Sequence, residues 1–224
     1  MIMGKLIVFE GTDGSGKSTQ FALLTKRLQA MQVDFRTIEF PQYSEPSSAL
    51  IRMYLGGEFG TRPSDVNAYA ASTFYAVDRY ASYRKVWREY YKNGGLVLSD
   101  RYTTSNAVHQ ASKVPEEERA DFFKWLYEFE YRRMELPVPD IVIYLDVPTE
   151  LTGQNLRRRE HDTHTVADIH EQNMDYLRLC RSTGRQAAEY YGWTIIDCTR
   201  DGKMRSIEDI HNDIFALVSK CLEG

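Results

Sequence analysis

Lys5-Leu6-Ile7-Val8-Phe9-Glu10 runs directly into Gly11-Thr12-Asp13-Gly14-Ser15-Gly16-Lys17-Ser18-Thr19, and beyond it Phe21, Leu24, Leu28 and Met31 recur at helical spacing. A short apolar run, a glycine-rich loop and a periodic apolar segment, in that order, predict strand, loop and helix. The loop fits the pattern Gly-x-x-x-x-Gly-Lys-Ser and sits where phosphate binding requires it. Glycines let backbone N–H groups turn toward phosphate oxygens, and the helix N-terminus adds positive potential. Residues 11–19 are therefore the expected ATP site, with Lys17 on the β- and γ-phosphates and the Ser18 hydroxyl on Mg2+. The order of the glycines does not fit the dinucleotide-binding fingerprint.

Outward from this stretch, further short runs rich in β-branched or aromatic residues at 35–40, 96–99, 141–146 and 193–197 are separated by helical patterns. Five strands alternating with helices predict an α/β, P-loop NTPase three-layer fold: a five-stranded parallel sheet with helices on both faces, and a lid near 153–166. Val66, Tyr69, Thr73, Val77, Tyr80, Trp87 and Tyr90 fall on a face of one long helix. Other helices are expected over 104–112, 115–135, 149–158 and 167–190, and a last one from Ser206, where Ser206-Ile207-Glu208-Asp209 resembles a capping box. No repeat or linker interrupts the 224 residues, so a single domain over 1–224 is expected.

The chain is 42% hydrophobic and 27% charged, without an apolar run long enough for a membrane span, so a soluble protein is expected. A net charge of −4 opposes general nucleic-acid binding, and any anion site has to be local. Cys180, Cys198 and Cys221 show neither metal spacing nor an even disulfide set, which fits reduced thiols and a cytoplasmic location.

The third strand ends in Ser99-Asp100-Arg101-Tyr102. Ligands of parallel sheets gather at the carboxyl ends of strands. Asp100 is thus a second candidate for Mg2+, and Arg101 a candidate for the migrating phosphoryl group and an acceptor phosphate. With these residues the chain resembles the thymidylate kinases over nearly its whole length. The opening 9–19, Asp100-Arg101-Tyr102, and Pro139-Asp140 leading to Leu145-Asp146-Val147-Pro148 are similar to that family's motifs.

The resemblance implies ATP and dTMP as substrates, Mg2+ as cofactor and a homodimer, with no nucleic-acid or membrane partner. It also implies a contact from Asp13 to the sugar 3′-hydroxyl, stacking of thymine on Tyr75, and a bond from Arg79 to a base carbonyl. Tyr75 and Arg79 are four apart, so on a helix they share a face and can flank a flat base. Asn106 and Gln110 are likewise four apart, and their amides suit the thymine N3–H and O4. Ser105 is expected on the phosphate side, and His109 where some family members carry a tyrosine that crowds a ribose 2′-hydroxyl.

Family members with glycine in the middle of the loop, as at Gly14, supply a catalytic arginine from the lid, and Arg157, Arg158 and Arg159 are the candidates. The arginine usual after the second strand is replaced by the segment Pro41-Gln42-Tyr43-Ser44, in which Tyr43 or Ser44 is a substitute donor. His161, His164 and His170 lie in a charged segment without a fourth metal ligand. The guanine-reading Asn-Lys-x-Asp of nucleotide switches does not occur. An acceptor phosphate is already ionised, so no strong general base is needed.

Overall fold

The computed structural model describes residues 3–153, 155–156 and 174–223. Its strands in chain order are β1 (Lys5–Glu10), β2 (Phe35–Glu39), β3 (Leu96–Asp100), β4 (Ile141–Asp146), β5 (Thr194–Asp197), β6 (Thr199–Arg200) and β7 (Lys203–Met204). Helices among the described residues include α1 (Lys17–Ala30), α2 (Ala49–Leu55), α3 (Ala68–Ser82), α4 (Arg88–Lys92), α5 (Arg119–Tyr127), α6 (Met174–Tyr191) and α7 (Ile207–Glu223). The first five strands form one parallel sheet in the order β2-β3-β1-β4-β5. The expected architecture is present.

An unbroken apolar strand must be covered on both faces, and β1 is covered in that way. Ile7 and Phe9 pack with Leu24 and Leu28 of α1 and with Ile210, Ile214 and Val218 of α7. Leu6 and Val8 point the other way, into Tyr83, Trp87, Tyr91 and Tyr102. Burying each such side chain contributes about 1.5–3 kcal/mol, which fixes β1 at the centre of the sheet. Phe9 pairs in register with Asp100, and the loop after β1 therefore opens beside the end of β3.

The helical boundaries depart from the periodicity in three places. The single helix expected through 66–90 starts at the Asn67 cap, whose side chain accepts from the Ala70 N–H (2.9 Å), and contains a π-helical turn at Tyr83–Trp87 between α3 and α4. The extra residue of that turn shifts the helical register between α3 and α4; Trp87, in the turn, is fully buried, whereas Tyr69, Val77 and Tyr80 before it are exposed. The buried face of α3 carries Ala71, Ser72, Ala76, Asp78 and Arg79 instead. The expected helix at 104–112 is mostly a π turn (Asn106–Gln110) with a 3-10 turn (Ala111–Lys113) after it. The one at 115–135 comprises the Glu116–Glu118 turn, α5 and a π turn over Glu128–Arg133.

Helix is present over 149–153, and α6 takes up the expected 167–190 segment from Met174 onward. Of the lid expected at 153–166, residues 154 and 157–166, with Arg157, Arg158 and Arg159, lie outside the described residues, as do the histidines at 161, 164 and 170. α7 begins after Ser206, whose hydroxyl accepts from the Asp209 N–H (3.0 Å) as a cap. The β6–β7 hairpin has no counterpart among the expected elements. No helix among the described residues is long and apolar enough to cross a membrane.

Lys113 holds the 3-10 turn in place, donating to the Tyr54 hydroxyl (2.7 Å) and the Val66 carbonyl (3.1 Å). Burial pushes its ammonium down to about 7. Between there and the ordinary lysine value, the unfolded chain holds a proton that the folded chain has released, so this group makes stability rise with pH. Lys113→Met is expected to flatten that rise. The melting-temperature gain from pH 7 to pH 9.5 should be smaller in the variant than in the parent, and an equal gain would remove Lys113 as its source.

Candidate active site

The loop after β1 needs backbone conformations that side chains resist. Gly14 (φ 79°) and Gly16 (φ 85°) are left-handed, and a Cβ on Gly14 would lie 2.6 Å from the Thr152 carbonyl oxygen. Only glycine meets both demands at position 14. Gly16 caps α1, so Lys17 and Ser18 start the helix at its positive end. Thr12 through Thr19 line a groove of about 1230 Å³. Gly11 does not line it, because its N–H donates to the Glu10 carboxylate (2.9 Å).

Lys17 is buried at the floor of this groove and paired with Asp100. Burial, reinforced by the nearby Arg101 guanidinium, pushes the Lys17 ammonium below the usual lysine range, against the pull of Asp100 and Glu10. Ser18 is exposed to the groove. The far wall comes from residues that the sequence reading missed, namely Asn155, Met204, Arg205 and Ile207. The Asn155 amide donates to the Gly14 carbonyl (2.8 Å). Arg205 is fixed by the Asp197 carbonyl (2.8 Å), the Asp209 carbonyl (3.3 Å) and the Asp213 carboxylate (2.7 Å). Nothing in the chemistry of the hairpin sequence marks these wall residues in advance.

A second cleft, of about 650 Å³, adjoins the groove. All nine residues expected at the acceptor line it: Asp13, Tyr43, Tyr75, Arg79, Arg101, Ser105, Asn106, His109 and Gln110. Phe40, Pro41, Leu55 and Tyr102 complete the lining. Apolar walls with a few convergent polar groups suit a small-molecule ligand.

Arg101 is the hub of the polar end. Its backbone is left-handed (φ 65°), which costs about 1–3 kcal/mol in a non-glycine residue, and its N–H donates to the Phe9 carbonyl (3.0 Å). The guanidinium reaches Asp13 (2.6 Å), Glu10 (3.2 Å), Ser105 (3.3 Å) and His109 (3.1 Å). Burial opposes its charge, and the carboxylates of Asp13, Glu10 and Asp100 outweigh that penalty. Arginine only donates, so His109 Nε2 accepts and the ring proton sits on Nδ1.

Glu10 is a further residue that sequence reasoning passed over. Its fully buried carboxylate also accepts from Thr104 (2.7 Å) and Ser105 (2.6 Å), tying the end of β1 to the segment after β3. A glutamate at a strand end gives no signal of this; only the fold brings its donors together.

At the other end of the cleft, Arg79 and Asn106 are buried, and both bond to a further missed carboxylate, Glu130. The segment lacking the usual arginine is held by Asp78 of α3, which accepts from the Gln42 N–H (2.8 Å) and the Ser47 hydroxyl (2.6 Å). Tyr43 thereby lines the cleft near Arg101, while Ser44 does not reach the lining. Asp146, at the end of β4, is occupied by Arg181 (2.7 and 3.0 Å) and Arg185 of α6. The three cysteines are unpaired, and burial pushes the thiols of Cys180 and Cys198 up to about 12, which makes them poor nucleophiles.

Comparison with known proteins places the chain in a family. The chain is 32% identical over 192 residues to a thymidylate kinase of Mycobacterium tuberculosis, covering 84% of this chain and 87% of the relative. It is 30% identical over 218 residues to a probable thymidylate kinase of Methanocaldococcus jannaschii, covering 96% and 95%. Its fold is similar to the structure of thymidylate kinase from Candida albicans, with a TM-score of 0.72 at 20% identity, covering 97% of this chain and 92% of that one. The family model described as thymidylate kinase matches residues 9–214. That span takes in every residue that lines the groove and the cleft, and the chain belongs to the thymidylate kinase family.

Proposed function

We propose that the chain is an ATP-dependent thymidylate kinase that holds ATP in the loop groove and dTMP in the adjoining cleft, and transfers the γ-phosphoryl group to give dTDP and ADP. The observation that carries this arrangement is the contiguity of the two spaces. Asp13 lines both, Lys17 lines the groove, and Arg101, bonded to Asp13, lines the cleft.

In this reading the loop N–H groups and Lys17 hold the β- and γ-phosphates, and Arg205 offers a fixed planar surface on which the adenine can lie. Thymine stacks on Tyr75, with Arg79 donating to its O4 and Asn106 accepting from N3–H. Gln110 Oε1, buried without a partner among the described residues, supplies a further acceptor. Asp13 takes the 3′-hydroxyl, His109 sits against the sugar, and Arg101, Ser105 and Tyr43 hold the acceptor phosphate. The exposed Ser18 hydroxyl and the Asp100 carboxylate are hard oxygen donors, and they fit a Mg2+ that keeps substrate phosphates and waters as its other ligands. When bound, Mg2+ neutralises charge on the transferring phosphates. Transfer in line between two clamped phosphates needs positioning and positive charge, not a proton acceptor. Arg157, Arg158 and Arg159 belong to the proposal as the lid's contribution.

The exposed apolar stripe of Tyr69, Val77 and Tyr80 on α3, with Val86 beyond it, supports a homodimer, which light scattering would show as twice the chain mass. A cytoplasmic location fits the unpaired cysteines.

The test is ADP release with Mg2+ and ATP against dTMP, dUMP, thymidine, dGMP and ribosyl TMP. Fast turnover with dTMP and slower turnover with dUMP is expected. No acceptor-dependent release from folded, ATP-binding protein would overturn the reading.

A further inference from the structure

Glu130 does not line the acceptor cleft, yet it contacts two residues that do. It is fully buried on the π turn Glu128–Arg133. Its Oε2 accepts from Arg79 Nε (2.7 Å), and its Oε1 accepts from Arg79 Nη2 (2.6 Å) and from Asn106 Nδ2 (2.9 Å). The same Nδ2 donates its other proton to the Ser72 carbonyl (3.2 Å).

An ionised carboxylate and a carbonyl only accept. Turning the Asn106 amide over would set its oxygen against both, leaving three acceptors face to face in a buried site, a costly arrangement. The amide polarity is therefore fixed: both protons of Nδ2 are consumed, and Oδ1 is the polar atom left for a ligand. Arg79, clamped along one edge of its guanidinium, has only donors to offer. The cleft thus presents a donor beside an acceptor. That pair complements the carbonyl and ring N–H of thymine or uracil, and it opposes the amino group and bare ring nitrogen of cytosine.

We propose that Glu130 is the positioning residue that sets base specificity in this enzyme, by locking Asn106 as an acceptor and Arg79 as a donor against amino-pyrimidine monophosphates. The proposal rests on the acceptor reading of the cleft given above.

The test compares kcat and KM for dTMP and dCMP in the parent, Glu130→Gln and Glu130→Asp. A glutamine amide can donate to Asn106 Oδ1, so of the two acceptors that oppose turning the Asn106 amide over only the Ser72 carbonyl remains. Glu130→Gln is expected to narrow the preference for dTMP over dCMP in kcat/KM by about tenfold or more, mostly through KM, because the reacting phosphate lies at the other end of the cleft. Glu130→Asp keeps an acceptor-only group and should retain the parent preference even if both KM values rise. An unchanged preference in folded Glu130→Gln, or a parent that accepts dCMP as readily as dTMP, overturns the proposal and leaves the kinase assignment standing. A parent inactive on dTMP overturns the acceptor reading itself.

Loss of a buried charge can prevent Glu130→Gln from folding, so a measurement on the parent stands beside it. The side-chain amide protons of Asn106, assigned by their loss in Asn106→Ala, should exchange slowly by NMR both with and without dTMP. Exchange as fast as that of an exposed amide would overturn the proposal.

Discussion

Lys17→Ala should lower kcat with ATP and dTMP by about 10²-fold or more while leaving a folded protein. The side chain is the cation at the floor of the loop groove, placed by the first turn of α1 and paired with Asp100. Charge that develops on the transferring phosphates meets Lys17 in a buried setting, where an electrostatic contact is worth more than in water. The same burial explains why stability survives. It pushes the ammonium below its usual range, so the folded state gains little from holding this charge. For a chain of this size each 1 kcal/mol of lost stability lowers the melting temperature by about 2–4 °C. The check pairs single-turnover kinetics with a thermal scan. Unchanged turnover would remove Lys17 from the catalytic assignment, and a collapsed melting temperature would show that its role is structural.

Arg101→Lys should lower kcat/KM for dTMP by about 10²-fold and leave ATP binding in the absence of dTMP unaltered. Arg101 contacts Asp13, Glu10, Ser105 and His109 at once, a spread that a planar guanidinium can make and an ammonium cannot. It lines the acceptor cleft and not the groove, which predicts the separation between the two substrates. Isothermal titration with a nonhydrolysable ATP analogue, beside steady-state kinetics, measures both. Weakened ATP binding, or an unaltered kcat/KM, would contradict the placement of Arg101 at the acceptor phosphate. The left-handed backbone at Arg101 fits the same picture: strain is tolerated there because bonds to Phe9, Glu10 and Asp13 hold the residue in place.

The two carboxylates that organise the cleft, Glu10 and Glu130, illustrate where sequence reasoning stops. The flat ring of Tyr75, the guanidinium of Arg79 and the amides of Asn106 and Gln110 point to a base pocket only as a joint pattern beside the phosphate loop, each alone being an ordinary packing or surface residue. Glu10 and Glu130 act through what they accept, and apart from the adjacent Gly11 N–H on Glu10 their donors come from residues 79, 101, 104, 105 and 106, distant along the chain from the carboxylate each one meets. α3 is a second case. Its larger apolar residues suggested one face, whereas the face that packs inward carries alanine, serine, Asp78 and Arg79. Close approach to the core there favours small residues, and buried charge is tolerated because Arg79 is met by Glu130 and Asp78 by Gln42 and Ser47.

The parallel sheet, the phosphate loop and nine of the thirteen residues that line the cleft were legible in the order of the amino acids, Asp13, Tyr43, Ser105 and His109 only through the family resemblance. An unbroken apolar strand before a glycine-rich loop and a helix has few ways to bury itself, and side chains four apart on a helical turn must share a side. Three features were legible only in the folded chain: the direction in which α3 faces, the closure of the groove by the β6–β7 hairpin and Arg205, and the contact through which Glu130 sets the polarity of Asn106. Each depends on partners far apart along the chain, and their distances are fixed by packing, which local periodicity does not encode.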